Sequence, residues 1–114
     1  MQFFADSDQP FNTLYVNGEN KVVYCHKCQA FHVYFGIISF DIRRPGLEKL
    51  IAHLEEKFNV YQHRLASDRK IIRIDTPCRG LRLQLSIFDL EEMLEMLQYA
   101  LEQYELARWK PNYN

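Results

Sequence analysis

Cys25 and Cys28 enclose His26 and Lys27, and His32 follows four residues after the second cysteine. Reactive side chains crowd together here as nowhere else in the chain. A Cys-x-x-Cys pair suits zinc, because a tight turn aims both thiolates at one ion and a second turn can complete the tetrahedron. The third cysteine, Cys78, sits in another turn-forming stretch, Thr76-Pro77-Cys78-Arg79-Gly80. If the two turns meet, Cys25, Cys28 and Cys78 converge, with Asp75 as the fourth ligand and His26, His32 or water as alternatives. Four protein ligands would make a structural Zn2+ clip, and three plus water would make the open arrangement of a catalytic site. The competing reading is a hairpin that carries reduced thiols and no metal. A thioredoxin-type dithiol fits less well, since it needs a cysteine at a helix N-terminus and this motif lies between strand-like runs.

The elements that must position these residues follow from periodicity. Leu14-Tyr15-Val16 and Lys21-Val22-Val23-Tyr24 flank Asn17-Gly18, a dipeptide that supplies positive φ cheaply, so a hairpin is expected. Its second strand runs into the cysteine turn. Phe31, Val33 and Phe35 then alternate with His32 and Tyr34, which places the apolar set on one face. Gly36 marks a bulge or a tight turn, after which Ile38, Phe40 and Ile42 alternate with Ser39 and Asp41. Pro45 suits the first turn of a helix, whose buried stripe is Leu47, Leu50, Ile51, Leu54 and Phe58. A second hairpin is expected from Lys70 to Leu85. Ser86 and Asp89 form an acidic capping box for a second helix, with its stripe at Leu90, Met93, Leu94, Leu97, Leu101 and Tyr104.

Placing Cys28 over Cys78 sets Phe31, Val33 and Phe35 on Leu81, Leu83 and Leu85, which reads as an internal duplication. The expected fold is α+β: one domain over 1–114, with an arm at 1–12 and two β-hairpin–helix units at 13–58 and 70–109. The strands would form an antiparallel sheet with both helices packed on one face, and a pseudo-twofold would bring the turns together.

The chain has 114 residues and a net charge of −1, so no global field draws it to nucleic acid or anionic lipid. Arg64, Arg69, Lys70, Arg73, Arg79 and Arg82 do cluster. Together with His32 and Tyr34 they suggest a sheet platform for single-stranded nucleic acid, against which a solvated sheet face is the simpler reading. No apolar run approaches the ~20 residues of a membrane helix. The start of the chain does not resemble a secretory signal, so a cytoplasmic protein is expected. The second helix is acidic yet apolar on more than one stripe. Tyr99, Tyr104, Leu106 and Trp109 are therefore candidates for a homodimer or protein-partner contact.

The runs Val23-Tyr24-Cys25-His26-Lys27-Cys28, Phe31-His32-Val33-Tyr34-Phe35-Gly36 and Leu83-Gln84-Leu85-Ser86 resemble a family of small uncharacterised bacterial proteins of unknown function. The resemblance spans about residues 22 to 105. It implies a bacterial, cytosolic, single-domain protein and brings no activity. The leading expectation is a non-enzymatic interaction or regulatory module. A zinc-binding domain that docks nucleic acid or protein comes second, and a small metal-dependent enzyme third.

Overall fold

The computed structural model describes residues 11–63 and 69–109. Four strands form an antiparallel meander in the order β1-β2-β3-β4: β1 Phe11–Asn17, β2 Asn20–Cys25, β3 Ala30–Phe35 and β4 Ile38–Ile42. Helix α1 spans Arg44–Tyr61. A second hairpin follows, β5 Ile72–Asp75 and β6 Arg82–Leu85, and α2 spans Ile87–Trp109. The α+β reading holds. The single sheet expected from both hairpins does not form, because β5 and β6 make a separate two-stranded sheet. Residues 1–10 of the expected arm lie outside the described residues, and its last two, Phe11 and Asn12, open β1.

Alternation dictates the two faces of the meander. Val22, Tyr24, Phe31, Val33, Phe40 and Ile42 are buried on one face. There α2 packs under β1 and β2, and α1 packs under β3. The opposite face presents Val23, His32 and Asp41 in cross-strand register. Gly36 resolves as a tight turn: φ is +62°, Phe35 pairs with Ile38, and only Gly36 and Ile37 lie between them. β1 carries an irregularity at Leu14, where the register shifts between Thr13 and Tyr15.

Both helices bury most of the predicted stripes, with Phe58, Leu101 and Tyr104 only partly covered at the helix ends. Leu47, Leu50, Ile51 and Leu54 of α1 are buried, as are Leu90, Met93, Leu94 and Leu97 of α2. Met96 and Ala100 are buried as well, which widens the inward side of α2. The capping box is complete: the Asp89 N–H donates to Ser86 Oγ and the Ser86 N–H donates to Asp89 Oδ2, each at 3.0 Å. Arg44 pairs with Glu105 and lies 5.7 Å from the centre of the Tyr104 ring, fastening the start of α1 to the end of α2.

The second hairpin seats Ile72, Ile74, Leu83 and Leu85 in the shared core. Its tip reaches β4, where the Cys78 thiol donates to the Asp41 carbonyl at 3.4 Å. Thr76 shapes that tip. Its hydroxyl donates to the Leu81 carbonyl at 2.8 Å and accepts the Cys78 N–H at 3.1 Å. The tip thus meets β4 at the Asp41 carbonyl and not through a common sheet.

Candidate metal centre

Cys25 is the last residue of β2, and the turn through Cys28 leads into β3. The turn is built around the Cys25 sulfur. The Cys28 N–H donates to Cys25 Sγ at 3.2 Å, and the Gln29 N–H donates to the Cys25 carbonyl at 2.8 Å. Gln29 adopts φ +56°, a conformation that side-chain-bearing residues enter at a cost of roughly 1–2 kcal/mol. The turn therefore depends on a residue that tolerates the left-handed region. Gln29→Gly removes that cost and should keep or raise stability in a denaturant titration, while the β-branched Gln29→Val adds to the strain and should lower it.

The two sulfurs lie 2.8 Å apart and share a hydrogen bond. That bond holds the Cys25 thiol down at about 7, against the opposing effect of burial, with the Cys28 N–H and His32 adding to it. The same bond pushes the Cys28 thiol up. Cys25 is only 2% exposed, whereas Cys28 is open to solvent.

His32 reaches the sulfurs because strand register demands it. Cys25 pairs with Ala30 and Val23 with His32, so Cys25 and His32 are diagonal neighbours on the helix-free face. One ligand atom from each of Cys25, Cys28 and His32 lies within 4.8 Å of the others. Across the next strand pair, His32 faces Asp41, and its Nδ1 bonds the Asp41 carboxylate. With Nδ1 committed there, Nε2 is the ring nitrogen left for a metal. The Asp41 bond also holds the imidazole above its ordinary pKa. The Phe11 ring lies 6.0 Å from the His32 ring and shields the site on the β1 side.

This donor set fits zinc in kind. Two thiolates and one imidazole are favoured ligands, and a ligating histidine ordinarily gives its other N–H to a carboxylate. Two sulfurs bound at about 2.3 Å in a tetrahedron sit about 3.7 Å apart. Metal binding must therefore spread the present 2.8 Å contact by about one ångström and displace the proton the sulfurs share.

The other sequence candidates lie elsewhere. Cys78 is outside the ligand group; its thiol is turned to the Asp41 backbone, and burial raises its pKa. Asp75 pairs with Arg82 at 3.6 Å on the second hairpin. His26 is exposed and stacks edge-on against Tyr24 at 5.1 Å. Asp41 was not expected as a participant. The signal that finds it is the two-residue turn at Gly36-Ile37: counting back from Phe35 opposite Ile38 sets His32 opposite Asp41.

Of the partner-contact candidates, Tyr99 and Leu106 are exposed. Tyr104 is half-buried, with its ring centre 4.7 Å from that of Tyr24 and 5.2 Å from that of Phe31. Trp109 ends α2, and its side chain is outside the described residues.

A family of unknown function (DUF6686) matches over residues 8–110. The chain belongs to this family. The match takes in every strand and helix of the fold and all three candidate ligands. No curated protein and no solved structure matches the chain. Membership in this family carries no activity, so a functional reading rests on the site itself. No helix among the described residues is long and apolar enough to cross a membrane.

Proposed function

We propose that the protein is a Zn2+-binding interaction module in which Cys25, Cys28 and His32 hold the ion. The observation that carries this reading is the alignment of Asp41, His32 and the two sulfurs on one sheet face. The carboxylate fixes the imidazole, and the cysteine turn presents two thiolates beside it. Three protein ligands leave a fourth position for water or for a group on a docked partner. The bound ion ties the β2–β3 turn to β3 and, through Asp41, to β4, so the docking end of the sheet becomes rigid.

The nucleic-acid alternative has less support. Arg73 and Arg82 lie on the second hairpin, while His32 and Tyr34 lie on the meander, so the expected platform is divided between two sheets. Tyr34 is also engaged by Lys21, whose ammonium stands 5.0 Å from the ring centre.

Protein purified without chelator is expected to contain close to one equivalent of zinc by elemental analysis. Less than about a tenth of an equivalent, with no uptake on titration, would end the proposal. Asp41→Asn is expected to weaken zinc binding by roughly 10–100-fold in a competition titration, the usual consequence of losing the carboxylate behind a ligating histidine. Unchanged affinity in that variant would remove Asp41 from the account.

A further inference from the structure

The separation of the two sulfurs, 2.8 Å, lies between two chemical end points. A disulfide would hold them at about 2.0 Å. A tetrahedral zinc ion would hold them about 3.7 Å apart. Both end points lie within about one ångström of the present contact.

Access is divided between the two residues. Cys28 is open to solvent, whereas Cys25 is buried. An oxidant therefore meets Cys28 first, and Cys25 stands behind it at contact distance. The backbone holds them there: the Gln29 N–H donates to the Cys25 carbonyl, and Cys25 pairs with Ala30 across β2 and β3. Cys78 takes no part, since its thiol is turned to the Asp41 carbonyl.

We propose that Cys25 and Cys28 close a reversible disulfide, and that disulfide closure and zinc binding exclude one another. The co-reactant is a small-molecule disulfide such as glutathione disulfide. Cys28 loses its thiol proton to solvent, and its sulfur attacks one sulfur of the co-reactant. The co-reactant's S–S bond breaks, and the departing thiolate takes up a proton. Cys25 then loses its proton and attacks the Cys28 sulfur, forming the Cys25–Cys28 bond and expelling the second thiolate, which is protonated in turn. The protein is oxidised by two electrons, and the co-reactant is reduced to two thiols. The exclusion follows because zinc needs thiolates and a disulfide has none, so only His32 of the three ligands would remain. That half of the proposal rests on the zinc reading; the disulfide does not. The motif joins β2 to β3 and does not open a helix, so the pair is a site that is oxidised and not a thioredoxin-type catalyst.

Peptide mapping tests it. Reduced, chelator-treated protein is incubated with glutathione disulfide, the remaining thiols are alkylated, and the chain is cut with trypsin. Cleavage after Lys27 separates the two cysteines, so a closed disulfide leaves peptide 22–27 linked to peptide 28–43. That linked pair is expected in the parent and equally in Cys78→Ser, and it should come apart with dithiothreitol. A stable glutathione adduct on Cys28 with Cys25 still a free thiol overturns the disulfide. So does a bond from either residue to Cys78. With zinc at about ten times its Kd, closure is expected to slow about tenfold, and each disulfide that closes should release its ion to a colorimetric chelator. Closure at an unchanged rate, with zinc retained on the oxidised chain, overturns the exclusion. A parent that binds no zinc overturns the exclusion and the zinc reading together, and the mapping then decides the disulfide alone.

Discussion

Cys25→Ser and Cys28→Ser are each expected to strip the protein of zinc, while Cys78→Ser retains it. Each of the first two substitutions removes a direct thiolate from a three-ligand set. The loss should therefore exceed the roughly 10–100-fold that follows from disturbing a carboxylate behind a ligand. Cys78 spends its thiol on the Asp41 carbonyl and contributes no ligand atom. The check is zinc content per chain after gel filtration of the three variants beside the parent. The same set should separate in thermal stability. An ion that binds the folded state at about 100 times its Kd adds about 2.7 kcal/mol, and the Cys25 and Cys28 variants forgo that gain. Equal zinc loss in Cys78→Ser would mean that the second hairpin supplies a ligand.

Phe31→Ala is expected to cost about 3–5 kcal/mol, a large share of the total for a domain of this size. Phe31 has no exposed surface and pairs across the sheet with both Tyr24 and Ile42. Its ring stands 4.9 Å from Tyr24 and 5.2 Å from Tyr104 in edge-on contacts, so it joins the meander to the end of α2. It is also the chain neighbour of His32. The cavity left by the ring should loosen the strand that carries this ligand. Urea unfolding measures the cost, and a loss below about 1 kcal/mol would show that the aromatic cluster does not anchor the sheet.

Much of the fold was legible because local chemistry and global packing agree. The Asn17-Gly18 hairpin, the Ser86–Asp89 capping box and the helical stripes each rest on spacing that burial then rewards. The pairing of the two hairpins was not legible. The alternation of Leu81, Leu83 and Leu85 fixes which face is buried but not which strand lies alongside, and two sheets over one helical layer satisfy it as well as one. The matched spacing of Cys28 and Cys78 suggested a shared ion, yet the Thr76 hydroxyl folds the second tip so that Cys78 meets the β4 backbone instead.

For the site, Cys25 and Cys28 were readable from spacing alone. His32 was readable only as an alternative, because strand alternation puts it on the outer face without saying what else is there. Asp41 needed the strand register, which a glycine that could mark either a bulge or a turn left open until the turn was seen. The exposed part of α2 was also partly legible: Tyr99 and Leu106 do face outward, whereas Met96 is taken into the core.

The coordination shell itself is read most directly by X-ray absorption at the zinc edge on the metal-loaded parent. The account predicts two sulfur scatterers at about 2.3 Å, with the rest of the shell made of nitrogen or oxygen near 2.0–2.1 Å and at least one of them an imidazole. A shell of three sulfurs, or one without imidazole scattering, would contradict it.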